Sequence, residues 1–176
     1  MIYKIRVILD TAKEDVFRDI EIRDKQTLFT LYKGIMSAFS LQGEELASFY
    51  ESDENWNQGK EIPLESMDDA NSDETMSDFY IYEAFPKVGS RMIFVYDYFA
   101  MWTFSVEVVS IEDKKAVLNY PLTVYRFGAM PLKAPKRNIE ILNLEDDEIL
   151  DEGDDSTSFD ELEIDSDIDL DGEDDF

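Results

Sequence analysis

The chain has 176 residues, of which 42 are acidic and 16 are basic, so its formal net charge is −26, and it contains neither His nor Cys. These absences exclude a Ser-His-Asp triad, a His-ligated zinc site, a thiolate nucleophile and a disulfide. The charge argues against direct binding to nucleic acid or to an anionic membrane, because both are polyanions. A hydrophobic content of 44%, with 13% aromatic residues, is still enough to form a core.

The acidic residues are concentrated near the C-terminal end of the sequence. Residues 144–176 contain 18 Asp or Glu and no Lys or Arg, which leaves 24 acidic and 16 basic residues, a net charge of −8, in residues 1–143. The isolated apolar residues of the acidic segment are too few to form a core against its self-repulsion. We therefore predict a single α+β domain over residues 1–143, with an acidic loop at about 51–78, and a disordered acidic tail over 144–176.

The first predicted elements are a β-hairpin and a helix. Apolar and polar residues alternate over 2–9, a second strand is predicted at 16–22, and a short polar segment joins them, as in an antiparallel hairpin. Over 27–39 apolar residues recur every three or four positions, which predicts a helix capped by Asp24 or Thr27. A third strand is predicted at 46–50.

The middle of the chain is less regular. We predict that the acidic loop is a surface segment with one short strand near Trp56, whose indole is either exposed for recognition or packed on the sheet as a loop anchor. Residues 76–84 fit a strand by propensity, but Ser77 and Asp78 would also cap a short helix.

Three aromatic or β-branched runs follow, at 92–98, 102–111 and 114–120, and they predict a three-stranded antiparallel meander. Pro and Gly residues then indicate an irregular return before a last strand near 138–142. The whole pattern predicts an α+β fold: a mixed sheet that starts with a β-hairpin plus one main helix, like a ubiquitin roll, and is extended by the meander.

Four segments of this body carry a family resemblance. They are the two opening strands, the helix at 27–39, the run Phe94-Val95-Tyr96-Asp97-Tyr98 followed by Trp102, and the Tyr120-Pro121 step followed by Gly128 and Pro131. Over residues 3–142 this pattern resembles the plasmid pRiA4b ORF-3-like family, a domain that is widespread in bacteria and has no established activity. The resemblance suggests a role near mobile elements by association alone.

The chain departs from that family where many members carry His. Tyr32 stands in the helix position, and Glu45-Leu46-Ala47 replaces a His-Leu-His element. Phe17 replaces the usual Trp, and Phe99-Ala100 replaces a Gly-Asp pair. Any metal-binding or catalytic use of those imidazoles in other members is therefore excluded for this chain.

The candidate binding residues are Tyr96, Asp97 and Trp102, which would form an aromatic-lined pocket with one ligand-orienting carboxylate. The alternative is that Asp97 caps a turn while the aromatic side chains fill the core. An Asp-x-Asp-x-Asp-Gly run at 167–172 matches the start of a calcium loop, but a segment so rich in Asp produces such a match by chance. We predict no catalytic residue, no metal site and no cofactor.

A basic cluster, Lys133, Lys136 and Arg137, precedes the acidic tail. These side chains could bind an anion. The tail supplies nearer carboxylates, so we expect weak ion pairs within the chain.

Three functions are consistent with these patterns. The first is a non-enzymatic protein-interaction module whose acidic tail engages a basic partner protein or acts as a solubilising brush. The second is a nucleic-acid mimic or mobile-element accessory protein, and the third is a small-molecule-binding protein or Mg²⁺-dependent enzyme centred on Asp97. The sequence shows no secretory signal and no apolar run that would span a bilayer, so we expect a cytoplasmic protein without membrane contact, whose oligomeric state stays open.

Overall fold

The computed structural model describes residues 1–67, 74–117 and 119–136. There, one sheet of seven strands packs on one main helix, which is an α+β fold. The strands are β1 (Ile2–Leu9), β2 (Phe17–Arg23), β3 (Ala47–Ser52), β4 (Gln58–Pro63), β5 (Arg91–Tyr96), β6 (Trp102–Glu112) and β7 (Leu122–Phe127), and the main helix is α1 (Leu28–Ala38). A single helical turn, α2 (Ile81–Ala84), precedes β5.

The predicted hairpin and helix are confirmed. β1 and β2 pair antiparallel, and β1 alternates buried apolar residues with the half-buried Lys4 and Arg6. α1 is capped by Thr27, whose Oγ1 accepts a hydrogen bond from the N–H of Thr30 at 3.3 Å. Of the two predicted caps, Asp24 and Thr27, the structure therefore has Thr27, because its hydroxyl lies directly before the first helical turn.

The strands lie in the order β4-β3-β5-β6-β1-β2-β7, and all the pairs described are antiparallel. The expectation of a mixed sheet is therefore wrong. Consecutive strands pair as the hairpins β1–β2, β3–β4 and β5–β6, and their connections are too short for the crossover that parallel neighbours require. The connection that contains α1 joins β2 to β3, which lie near opposite edges of the sheet.

The meander is confirmed only in its first two strands, β5 and β6. Residues 114–117 form no strand, and the next strand is β7, where the sequence indicated an irregular return. β7 pairs with β2, because the second edge of β6 is already occupied by β1. The chain after β6 therefore has to cross to the free edge of β2.

The acidic segment contains more structure than the single short strand expected near Trp56. β4 begins just after that residue and pairs with β3. Met76–Asp78 forms a short 3-10 turn and α2 follows it, so the helical alternative for 76–84 describes the structure better than the strand. The buried side chains of this segment extend the core at the N-terminal end of α1. They are Met76, Ile81 and Phe85.

The core lies between the helix-facing side of the sheet and α1. Phenylalanine rings from β3, β5 and β6 form its centre: the Phe49 and Phe94 centroids are 4.8 Å apart, and Phe94 lies 5.8 Å from Phe104. Phe39, directly after α1, contacts Phe104 at 4.8 Å. These rings join the helix to the central strands, so their burial accounts for much of the apolar stabilisation of the fold.

Three charged side chains on β2 are buried, those of Arg18, Asp19 and Glu21, and each has a partner. Arg18 donates from Nε to the carbonyl oxygen of Ala38 at the end of α1, at 3.2 Å. Asp19 accepts two hydrogen bonds from the guanidinium of Arg6, at 2.8 and 3.0 Å, and Glu21 pairs with Lys114 at 2.6 Å. Because a buried charge without a partner is costly, these contacts are needed for β2 to lie inside the sheet.

The described residues belong to one compact unit, Met1–Ile139. The predicted boundary at 143, the last strand near 138–142 and the acidic tail at 144–176 fall outside the described residues and stay predictions. Among the described residues, no helix has the length and apolar content that a membrane span needs.

Candidate functional site

Two of the candidate binding residues form the base of the β5–β6 hairpin. Tyr96 and Trp102 are directly paired across the two strands, and they are only 5% and 9% exposed. Both belong to the core cluster, so their aromatic surface is already covered by the protein. They support the turn between the strands and offer little surface to a ligand.

Asp97 organises that turn. Its Oδ1 accepts hydrogen bonds from the N–H groups of Phe99 and Ala100, at 3.1 and 3.3 Å. Its own N–H donates to the carbonyl oxygen of Leu46 at 2.9 Å, and its φ of +59° lies in the left-handed region, which Asp tolerates better than most residues. The structure therefore places Asp97 as a turn cap and the neighbouring aromatics in the core, which is the second of the two sequence alternatives.

The turn, residues 97–101, is called the hairpin tip below, and it exposes apolar side chains. Phe99 is 99% exposed, and Tyr98, Met101 and the adjacent Leu46 are each more than a third exposed. Together these side chains form an exposed apolar patch, and such patches mark contact sites with partners more often than singly exposed apolar residues do. In the sequence, Phe99 stands out only as a departure from the family pattern, although its position between two predicted strands is a usable indication of exposure.

A polar cluster that sequence reasoning missed connects the hairpin tip to the sheet. The Ser48 Oγ donates to the Glu61 Oε1 at 2.6 Å and is also hydrogen-bonded to the Tyr98 hydroxyl, which donates to the same carboxylate at 3.4 Å. Burial raises the pKa of Tyr98, and the nearby Glu61 acts in the same direction.

A serine hydroxyl beside a carboxylate resembles an activated nucleophile, but Ser48 is 0% exposed. A substrate carbon cannot reach its Oγ. The cluster is therefore a structural connection between β3, β4 and the tip. Ser48 and Glu61 lie 13 residues apart and meet only through the β3–β4 pairing, so no local pattern in the sequence indicates this contact.

Tyr32 on α1 is joined to Tyr96 on β5 through the backbone of Gly43. The Tyr32 hydroxyl donates to the carbonyl oxygen of Gly43 at 3.2 Å, and the N–H of Gly43 donates to the Tyr96 hydroxyl at 3.0 Å. Burial raises the pKa of Tyr32 above its ordinary value, because the charged tyrosinate would be poorly solvated there. Both tyrosine hydroxyls are hydrogen-bonded to the backbone of Gly43, so they hold this loop against the core.

Trp56 is held against the body of the protein. Its ring lies 4.7 Å from the guanidinium carbon of Arg91, a cation–π contact. Asp53 accepts hydrogen bonds from the N–H groups of Asn55 and Asn57, at 2.8 and 3.0 Å, and closes the loop. Because Trp56 is half-buried and in contact with Arg91, it is a loop anchor and not an exposed recognition residue.

Within the described ranges, no group of three or more acidic side chains is arranged to hold a metal ion. The calcium-loop match at 167–172 falls outside those ranges and is not addressed by the structure. The described residues around the hairpin tip therefore offer an apolar contact surface, and their chemistry does not indicate a catalytic centre.

Comparisons with known proteins agree with this fold. The model of the family described as "Plasmid pRiA4b ORF-3-like protein" matches residues 1–134. The fold is similar to the crystal structure of a protein of unknown function, MM3350 from Methanosarcina mazei Go1, with a TM-score of 0.58 and 16% identity over 71% of this chain and 68% of that chain. A comparison with functionally curated proteins found no match. Since the family model covers most of the body, including the hairpin, helix and Tyr-Asp-aromatic turn, the chain belongs to the plasmid pRiA4b ORF-3-like family.

Proposed function

We propose that the protein is a non-enzymatic interaction module whose partner is a protein with an apolar pocket inside a positively charged surface. The observation that carries the proposal is the 99% exposure of the Phe99 ring on an ordered turn. Aromatic side chains are enriched among the few residues that dominate the binding energy of protein interfaces, because one ring fills a pocket and excludes water from it.

The hairpin tip is preorganised for such a contact. Asp97 fixes the turn through two hydrogen bonds, and Tyr96 and Trp102 anchor its base in the core. The hydroxyl of Tyr98 joins the Ser48–Glu61 pair on the sheet. A side chain on an already ordered turn loses little backbone entropy on binding, which favours affinity.

The charge of the chain supports a basic partner. The tail alone carries 18 acidic and no basic residues, and its charge would accelerate association with a positive surface by electrostatic steering. If the partner binds DNA, the tail occupies its basic groove and the protein acts as a nucleic-acid mimic. If no partner requires the tail, it serves as a solubilising brush. We propose a cytoplasmic location on the sequence grounds given above.

The geometry favours an interaction module over a small-molecule or Mg²⁺-dependent enzyme centred on Asp97. The Asp97 carboxylate accepts hydrogen bonds from two backbone N–H groups, and the neighbouring Tyr96 and Trp102 rings are buried. A ligand at this position would have to displace the turn contacts before it reached the carboxylate.

The test is co-purification from native-host lysate with four tagged proteins: the full chain, Phe99→Ala, Leu132→Ala and a deletion of the residues beyond 145. Leu132 is also fully exposed and serves as the matched control for loss of an exposed apolar side chain. We expect Phe99→Ala to reduce capture of the basic partner at least tenfold while Leu132→Ala retains it. We also expect the deletion to weaken capture most at low salt, and to leave the thermal midpoint unchanged.

Two results would contradict the proposal. One is equal capture by Phe99→Ala and the full chain, and the other is no partner captured by the full chain. Capture that is insensitive to salt and to the deletion would instead assign the tail the role of a brush.

A further inference from the structure

A cleft of about 550 Å³ lies beside the β1–β2 turn, and no residue of the hairpin tip belongs to its lining. One wall is the β1–β2 turn, with Thr11, Lys13 and Glu14, and the other is the chain that follows β7, with Lys133 and Lys136. The apolar part of the lining comes from small and apolar residues: Ala12, Val16, Ala129, Pro131 and Pro135. The cleft therefore combines an apolar surface with charged groups, as ligand pockets commonly do.

The charges of the cleft are opposite in sign to those of the chain as a whole. Lys13, Lys133 and Lys136 contribute three ammonium groups against the single carboxylate of Glu14, in a chain whose net charge is −26. None of the three lysines forms an ion pair with an acidic side chain of the described residues. Arg137, the third member of the basic cluster identified in the sequence, lies outside those residues.

Tertiary structure creates this arrangement. Lys13 is far from Lys133 and Lys136 in sequence, and the close packing of Gly128 on Asp15 and Val16 brings the two chain segments together. Val16 is buried, so the floor of the cleft is part of the core and does not depend on a ligand to form.

We infer that this cleft binds an organic anion that carries two or more negative charges, as carboxylate or phosphate groups, on an apolar frame. The ammonium groups would neutralise the anion, and the apolar frame would lie on the proline and alanine lining. A volume of about 550 Å³ suits a small metabolite better than a single inorganic ion. The site is separate from the hairpin tip and does not rest on the proposed function.

Salt limits how far acidic residues act on the cleft, and a bound anion would displace the weak ion pairs with the tail that the sequence predicts. The Debye length is about 8 Å at 0.15 M ionic strength, so charges beyond that distance are largely screened and the adjacent lysines dominate the local potential. Binding should therefore weaken as salt rises, because the lysines themselves are exposed and become screened.

The experiment is a ¹H–¹⁵N NMR titration of the full chain, at constant ionic strength, with phenyl phosphate, phthalate, inorganic phosphate and chloride. We expect saturable amide shifts confined to 11–16 and 129–136, at least tenfold stronger binding for phenyl phosphate or phthalate than for inorganic phosphate, and no saturation with chloride. Phenyl phosphate against phthalate separates a phosphate site from a carboxylate site.

Two triple variants provide the control. Lys13→Gln, Lys133→Gln and Lys136→Gln together should weaken binding at least tenfold. The variant Lys25→Gln, Lys87→Gln and Lys115→Gln makes the same change in net charge at lysines outside the cleft lining, and it should bind like the unmodified chain. The absence of saturable shifts in the full chain would overturn the inference, as would equal weakening by both variants.

Discussion

Gly128→Ala is expected to destabilise the fold more than Gly89→Ala. Both glycines have left-handed backbone, with φ of +76° and +84°, so each alanine carries a similar conformational penalty of about 1–2 kcal/mol. An added Cβ at Gly89 would meet no heavy atom within 4 Å, whereas at Gly128 it would lie 2.3 Å from the carbonyl oxygen of Asp15 and 3.0 Å from the Cα of Val16. The difference between the variants isolates the steric contact.

The magnitude follows from the distance. Non-bonded heavy atoms prefer about 3.5 Å, so relief of the contact with Asp15 requires a backbone movement of roughly 1 Å in the β1–β2 turn or in the segment after β7. Such overpacking typically costs about 1–3 kcal/mol. We therefore expect a total loss of about 2–5 kcal/mol for Gly128→Ala, against about 1–2 kcal/mol for Gly89→Ala.

The assay is urea unfolding followed by circular dichroism, with thermal midpoints as a second measure. A difference of about 1–3 kcal/mol between the variants corresponds to several degrees in the midpoint for a domain of this size. If the two variants are equally stable within about 0.5 kcal/mol, the segment after β7 does not pack on the β1–β2 turn, and the reasoning is refuted.

Three further predictions concern the tip, the core and alkaline pH. Asp97→Ala removes the acceptor of two turn hydrogen bonds and should lower the free energy of unfolding by about 1–3 kcal/mol. Asp97→Asn keeps an acceptor oxygen and should lower it less. Equal losses for the two variants in urea unfolding would contradict the role of Asp97 as a turn cap. Phe104→Ala should cost about 3–5 kcal/mol in the same assay because the ring is fully buried, and a loss below about 1 kcal/mol would argue against this core. Burial raises the pKa of Tyr32 above 10.0, so the folded state holds this proton more tightly than the unfolded state does. This contribution to stability is fully present below the pKa that Tyr32 has in the unfolded chain. It is lost as the pH rises through the pKa that Tyr32 has in the folded state. Tyr32→Phe should therefore flatten the decline of the urea midpoint above about pH 10, and an unchanged decline would contradict the assignment.

The hairpin, the helix and the β5–β6 pair could be predicted because their patterns are local. Apolar and polar residues alternate over β1, and apolar residues recur every three or four positions over α1, because one side of each element faces the core. This periodicity can be seen in a short stretch of sequence. β4 is predicted only as a short strand near Trp56, without its bounds, for the opposite reason. It is an edge strand with mostly exposed residues, so it has no apolar alternation to detect.

In the candidate site, too, the local arrangement could be predicted from the sequence and the roles of the residues could not. Tyr96, Asp97 and Trp102 do lie together at one hairpin, as their spacing indicates. Their roles depended on burial and on hydrogen bonds: the rings are core residues and the carboxylate holds a turn, while the exposed group is Phe99. The Ser48–Glu61 contact and the cleft join distant segments, so no local pattern predicts them, although two of the three cleft lysines belong to the basic cluster that the sequence shows.

By itself, the sequence determined which chemistries are impossible, because a chain without His or Cys cannot build imidazole or thiolate sites, and it determined the local elements and the family resemblance. Only the tertiary structure decided that β1 lies between β6 and β2, that the sheet is antiparallel throughout its described strands, and that three lysines of an acidic protein line one cleft. The physical reason is that strand neighbours and side-chain clusters depend on which edges and surfaces remain free after the rest of the chain has packed.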